Sequence, residues 1–257
     1  FIMIAACIQV RLNSKRLPKK ATLKLKGKEV LMHVVERIQQ SKLVEKVIVC
    51  TSYNKRDQEI IDICKKNKIE FFAGDEEDVT KRFIDAVDKY KPEHIVRSTG
   101  ENPCVSYEFI DLAIKKHLID KSDYTTTDEL PRGMRVEIIN FNFLKDLHKK
   151  LINPKTEYLT WYLDRPNKWK VNKISVPKEI RRNNYRVTID TKEDFDVIKK
   201  IYDSLYEKKP LSSYEIIKFL DSNTEIVSIN RDIKQRTYED FKEKIDIRTF
   251  EELNNEY

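Results

Sequence analysis

The sequence predicts an α/β protein built on a doubly wound, mostly parallel sheet, with a small α+β segment inserted ahead of the last core strand. Three observations lead there. Residues 2–10 form a nearly all-apolar run, the pattern of a strand buried on both faces. Short apolar runs then alternate with amphipathic helical stripes. The alternation breaks at Pro131-Arg132-Gly133 and resumes near residue 185.

Taken in order, residues 29–42 place Leu31, Val34, Val35 and Ile38 on one helical face, and the apolar run 47–50 completes a βαβ unit. The spacing continues with a helix at 56–67 (Ile60, Ile61, Cys64), a strand at 69–72 and a helix at 78–90 (Val79, Phe83, Ala86, Val87, Tyr90). A strand at 93–98, a helix at 106–119 and a strand near 122–127 follow. Within the insert, about 130–176, the pattern reads as a strand at 135–140, helices near 141–150 and 156–164, and a strand at 169–176. The last core strand is expected at 185–189, then a helix at 192–207 with the stripe Phe195, Ile198, Ile201, Tyr202 and Leu205, and a helix at 212–221. Residues 1–230 read as one domain and 231–257 as a charge-rich C-terminal extension.

Composition excludes several function classes. A chain of 257 residues, 40% hydrophobic and 36% charged, is not expected to be disordered, and its longest apolar runs are too short to span a bilayer. No charged segment followed by a long apolar stretch marks a secretory signal, so a soluble, cytoplasmic protein without membrane partners is expected. Cys7, Cys50, Cys64 and Cys104 form no CxxC pair, and His33, His94, His117 and His148 stand alone, which suits structural roles better than a zinc site. The net charge of +7 is spread over interleaved signs, the mark of a solvated surface more than of a nucleic-acid partner. With only Gly27, Gly74, Gly100 and Gly133 present, neither GxGxxG nor GxxxxGK[ST] can exist. Any phosphate must therefore be held by cationic side chains and ordinary amides.

In open α/β sheets ligands lie beyond the carboxyl ends of the strands. The first strand runs into Arg11, Lys15, Arg16, Lys19 and Lys20, a basic loop suited to an anionic ligand, or else a solvated loop. The strand at 93–98 leads into Thr99-Gly100-Glu101-Asn102-Pro103, and the one at 185–189 into Asp190. If those ends converge, Glu101 and Asp190 would offer Mg²⁺ two hard oxygen ligands; alternatively Asp190 caps the next helix.

The segments IQVRLNSKRLPKK (8–20), GDEEDVTKRF (74–83), IVRSTGENP (95–103), GMRVEI (133–138), TEYLTWYL (156–163), VTIDTKEDFDVIKKIY (187–202) and FLDSNTEIVSIN (219–230) are collinear with one family. The chain resembles the CTP-dependent cytidylyltransferases of the spore-coat-polysaccharide and sugar-acid-activating type. That resemblance implies a glycosyltransferase-A-like nucleotide-binding fold, CTP and Mg²⁺ as ligands, a homodimer, and transfer of CMP to a sugar-like acceptor (sugar acid, sugar or polyol derivative) with release of pyrophosphate. It implies CTP contacts from Val10, Arg11, Ser14, Arg16, Lys20, Asp78, Arg82 and Thr99, with Arg11, Arg16 and Lys20 acting on the transferring phosphate. Glu101 and Asp190 would hold the metal, and Asn102, Arg135, Glu137, Glu157 and Tyr158 would meet the acceptor.

The chain departs from the family pattern at Lys19 for Gly, Glu101 for Asp, Arg135 for Asp and Tyr158 for His. Arg135 either grips an anionic acceptor or pairs with Glu137 on the same face of one strand. Three rival readings stay open: a glycosyltransferase whose metal motif is Asp194-Phe195-Asp196, a nucleic-acid-binding module, and a non-catalytic relative.

Overall fold

The computed structural model describes residues 2–151 and 159–234. Its elements in order are β1 (Ile4–Gln9), β2 (Lys24–Leu25), β3 (Lys28–Glu29), α1 (Val30–Ile38), β4 (Lys46–Ser52), α2 (Gln58–Lys66), β5 (Glu70–Gly74) and α3 (Val79–Val87). Then come β6 (His94–Thr99), α4 (Ile110–Asp120), β7 (Tyr124–Thr126), β8 (Glu137–Asn140), α5 (Phe141–Lys150), α6 (Leu159–Leu163), β9 (Val171–Lys173), α7 (Lys192–Leu205), α8 (Ser213–Ser222) and α9 (Thr224–Ser228). Single 3₁₀ turns at Lys55–Asp57, Asp88–Tyr90 and Tyr107–Phe109 extend α2, α3 and α4 to the lengths that the apolar periodicity predicts.

Seven strands form the main sheet in the order β5-β4-β1-β6-β8-β7-β9, and β2 and β3 make a separate antiparallel ribbon. β1 pairs in parallel with β4 and β6, and β4 with β5, whereas β8 runs antiparallel to both β6 and β7. Both strands of the 130–176 segment, β8 and β9, are members of this sheet.

Alternation along each strand sorts its side chains into two cores. Ile4, Ala6 and Ile8 of β1, Val49 of β4, Val96 of β6 and Ile138 of β8 join the core built with α1, α4, α7 and α8. Ala5 and Cys7, Ile48 and Cys50, Ile95 and Ile139 join the core built with α3, α5 and α6. Each fully buried aliphatic side chain contributes about 1.5–3 kcal/mol, so both faces of the central strands drive folding. All four cysteines are buried free thiols. Among the described residues no helix is long and apolar enough to cross a membrane.

One predicted strand is absent. Residues 185–189 make a single parallel bridge, Arg132 to Arg186, and no ladder. Val187 and Ile189 are nonetheless completely buried, and Tyr185 is half-buried against the same core. The segment follows the turn at 131–134 instead of a strand: Arg132 N donates to Tyr185 O, Val187 N to Arg132 O (2.8 Å), and Ile189 N to Glu101 O (3.0 Å). Gly133, at φ +99°, permits this approach, because a Cβ there would lie 2.5 Å from the backbone of Val187 and Thr188.

The scarcity of glycine shows in the turns. Among the described residues six lysines, Lys19, Lys26, Lys68, Lys91, Lys121 and Lys208, occupy the left-handed backbone region that glycine enters without strain. Lys19, which stands where the resembled family has Gly, keeps that backbone conformation at φ 56°.

Candidate active site

The chain runs outward from β1 through β4 to β5 and then returns to place β6 on the other side of β1. That reversal creates a crevice at the carboxyl ends of β1 and β6, the usual ligand position in such sheets. Gly100 N donates to Gln9 O at 2.8 Å, and a side chain at Gly100 would strike Val10, so the two strand ends are pressed together. Val10 is buried against that glycine, with its amide bonded to Cys50 O.

Glu101 and Asp190, 89 residues apart in sequence, converge here. The bond from Ile189 N to Glu101 O ties their backbones, and a chain of side chains ties the turns: Thr188 Oγ1 donates to Asn102 Oδ1, and Asn102 Nδ2 to Thr99 Oγ1, each at 2.7 Å. Asn102 and Thr99 therefore brace the site from within.

Lys20 lies between the two carboxylates, 2.8 Å from Asp190 Oδ1 and 3.6 Å from Glu101 Oε1. Arg186 Nη2 bonds Asp190 Oδ2 at 2.9 Å, with Arg16 at 3.5 Å and Arg132 at 3.8 Å. Burial alone would raise the Asp190 pKa, but the charge and hydrogen bond of Lys20, aided by Arg132 and Arg16, hold it well below the usual carboxylate range. Burial, and the neighbouring Arg186 and Arg135 charges, lower the pKa of Arg132 against the pull of Asp190.

Asp190 does not cap α7. Thr191 is the N-cap in a capping box with Asp194, which also receives the amide of Asp190 at 3.0 Å. Asp194 is fully buried and forked by Arg186, Nε on Oδ1 at 2.7 Å and Nη2 on Oδ2 at 2.8 Å. The Asp194-Phe195-Asp196 metal motif of a glycosyltransferase thus has its first carboxylate consumed by helix capping and an ion pair. Among the described residues no group of three or more His, Cys, Asp or Glu is arranged to hold a metal.

The basic loop divides its cations. Arg16 and Lys20 face the carboxylates, whereas Arg11 turns to the loop after β5 and donates to Glu76 O at 2.6 Å. Ser14 Oγ accepts Leu17 N at 3.3 Å and shapes the turn between them. Lys19 pairs with Glu59 of α2 at 2.7 Å. Asp57, fully buried, accepts Leu12 N at 2.8 Å and the Ser52 hydroxyl, pinning the loop to β4.

Arg82 shares the Glu76 carbonyl with Arg11, and Asp78 opens the helix that carries Arg82. Asp78 caps α3, accepting Lys81 N at 2.8 Å on one oxygen and His148 Nε2 at 2.7 Å on the other. Arg82 is fully buried and donates Nη1 to Asp75 O at 2.8 Å, while its Nε and Nη2 have no hydrogen-bond partner among the described residues. Burial lowers its pKa to about 10.

On the acceptor side the Arg135–Glu137 pairing is not formed. Glu137 stands opposite Arg97 in the β6–β8 register and pairs with it, taking Tyr124 OH at 2.6 Å on its other oxygen. Arg135 is exposed and has no ion-pair partner among the described residues. Glu157 and Tyr158 lie outside the described residues.

Sequence reasoning missed Arg186 and Asp57, and offered Asp194 only as part of a rival metal motif, not as the capping and ion-pair partner that it is. Thr191-x-x-Asp194 is a legible capping-box spacing that would have freed Asp190 from the capping role. Nothing local signals Arg186 or Asp57.

A family model described as cytidylyltransferase matches residues 5–239. The spore coat polysaccharide biosynthesis protein SpsF of Bacillus subtilis is 34% identical over 223 residues, covering 84% of this chain and 93% of its own. An uncharacterized protein of Methanocaldococcus jannaschii is 35% identical over 245 residues, covering 93% and 99%. The structure of a cytidylyltransferase from Leptospira borgpetersenii superposes with a TM-score of 0.81 at 27% identity, covering 92% of this chain and 100% of that one. With the carboxyl-end crevice, its basic loop and these matches along nearly its whole length, the chain is a nucleotidyltransferase and belongs to the cytidylyltransferase family.

Proposed function

We propose that the protein transfers CMP from CTP to a sugar-like acceptor in surface glycan biosynthesis, with release of pyrophosphate. The observation that carries this is the meeting of Arg16 and Lys20 with Glu101 and Asp190 where the strand order reverses. An acceptor oxygen attacks the α-phosphorus in line as the bond to pyrophosphate breaks, chemistry that needs positioning and charge neutralisation more than a covalent nucleophile. Arg16 and Lys20 would offset charge growing on the departing pyrophosphate. Asp190, held ionised by its cations, serves as a charge and not as a proton acceptor.

The donor set suits Mg²⁺, which takes one or two carboxylates and completes its shell with phosphate and water. Glu101 and Asp190 would supply those oxygens, and the ammonium of Lys20 seated between them supports reading the pair as a place for positive charge. Bound there, Mg²⁺ would supply Lewis-acid polarisation of the α-phosphate.

The excess of guanidinium around the acceptor side supports an anionic acceptor. Arg135 is exposed and Glu137 is withdrawn to Arg97, so the positive charge there is unbalanced by the carboxylate nearest in sequence. Arg135→Ala is expected to raise the acceptor KM and spare that of CTP. Nucleotide choice is tested by melting the protein with each nucleoside triphosphate and Mg²⁺. At about 100 times its Kd a ligand stabilises by about 2.7 kcal/mol, so CTP should raise Tm above ATP, GTP and UTP. Equal shifts from all four would remove the cytidylyl assignment.

A further inference from the structure

The segment that follows α9 reaches back into the site. Asn230 is 3% exposed, and its Nδ2 donates to Asp194 Oδ1 at 2.9 Å and to Arg186 O at 3.0 Å. Both partners are acceptors only, so the amide nitrogen must face them. Asp194 in turn grips the fork of Arg186, and Arg186 extends Nη2 to Asp190 Oδ2 at 2.9 Å. Four residues from two parts of the sequence, 186–194 and 230, therefore form one buried chain of charge-assisted hydrogen bonds ending on Asp190.

We propose that Asn230 is a positioning residue for the cation-binding carboxylate of Asp190, acting through Asp194 and Arg186. The proposal rests on the reading of Asp190 as a Mg²⁺ carboxylate. Arg186 is shared between two carboxylates, and its position decides how much negative charge Asp190 keeps for a divalent cation. Bidentate seating on Asp194 holds the guanidinium back. Asn230 fixes both ends of that seat, the Asp194 oxygen and the Arg186 carbonyl. Without it, Asp194 Oδ1 keeps, among the described residues, only the Arg186 Nε bond and the Arg186 carbonyl loses a donor, so the fork relaxes toward Asp190 and competes with the metal.

Outer partners of metal-binding side chains typically govern affinity by about ten- to a hundredfold. The test is calorimetric titration of CTP into the full chain, once with EDTA and once with Mg²⁺, for wild type, Asn230→Ala and Asn230→Asp. The aspartate variant keeps the volume but turns a carboxylate toward Asp194. Both variants should lose about tenfold of the Mg²⁺-dependent gain in CTP affinity, while metal-free affinity stays within about twofold. An unchanged gain in both variants would overturn the proposal, as would metal-free and Mg²⁺ affinities falling together with Tm, which marks a merely structural role. A wild type that binds no CTP under either condition would instead bring down the cytidylyl reading and this proposal with it.

Discussion

Lys20→Ala removes the one side chain that, among the described residues, touches both carboxylates of the site. Its ammonium is 2.8 Å from Asp190 and 3.6 Å from Glu101, and the side chain is only 13% exposed. Breaking a buried ion pair commonly costs about 3–5 kcal/mol because the partner is left uncompensated. Here Asp190 retains Arg186, Arg16 and Arg132, so the loss approaches that of a single charged hydrogen bond, about 2 kcal/mol. For a chain of this size that lowers Tm by about 4–8 °C. Sequence reasoning alone would treat Lys20 as a loop lysine whose loss leaves Tm untouched; the buried bridge makes the opposite expectation. CTP affinity should fall about ten- to a hundredfold, since a charged contact to phosphate is also lost. Pyrophosphate release from CTP, assayed over a panel of sugars, sugar acids and polyols, should fall about a hundredfold or more. Lys20→Arg should recover part of the binding. A variant with wild-type Tm, CTP affinity and turnover would show that Lys20 neither bridges the carboxylates nor meets the triphosphate.

Asp190→Asn should abolish the Mg²⁺-dependent part of CTP binding and leave metal-free binding equal or tighter, because Lys20, Arg16 and Arg132 then face the phosphates with one carboxylate fewer beside them; since Thr191 caps α7, no cap is lost, and an unchanged Mg²⁺ response in calorimetry would refute the metal role. Glu101→Gln should be milder, as Glu101 touches Lys20 more loosely. His117, bonded to Thr125 and His94, has its pKa lowered to about 3 by burial and then by His94. The unfolded state takes up a proton near pH 6.5 that the folded state refuses, so stability is present above that pH and is lost as pH falls toward 3; between pH 7 and 5 the loss is about 2 kcal/mol. Urea denaturation at both values should show a smaller loss for His117→Gln, and equal losses would refute it. Lys121 follows α4 at φ 48°, with its amide bonded to His117 O and Leu118 O, so Lys121→Gly should raise stability by about 0.5–1 kcal/mol; a lower Tm would contradict the strain argument.

Much of the fold was legible because its signals are local. The run at β1 is apolar at nearly every position since both faces are covered, and the stripes of α1, α3 and α7 follow the helical period. The basic loop was legible too, since five cations within 11–20 need no tertiary partner to be seen. The 185–189 segment misled because burial and strand pairing leave the same apolar imprint. Val187 and Ile189 are fully buried, yet their amides bond the turn at Arg132 and the backbone of Glu101 instead of a neighbouring strand. Asp190 was ambiguous for a similar reason: an aspartate before a helix is a good cap, and only the Thr191–Asp194 box assigns that work elsewhere.

By itself the sequence determined the alternation of strands and helices, the exclusion of glycine-rich phosphate loops, and the residue types held ready at the strand ends. Tertiary structure alone decided which of them meet. β8 runs antiparallel beside β6 and delivers Glu137 to Arg97, removing it from Arg135. The close approach at Gly133 carries Val187 to Asp190 down beside Glu101, and the buried fork of Asp194 on Arg186 decides how Asp190 is held. Periodicity and propensity are properties of a short stretch of chain, whereas an ion pair spanning 170 residues, such as Lys20 with Asp190, exists only once strand order and register bring its two ends into the same crevice.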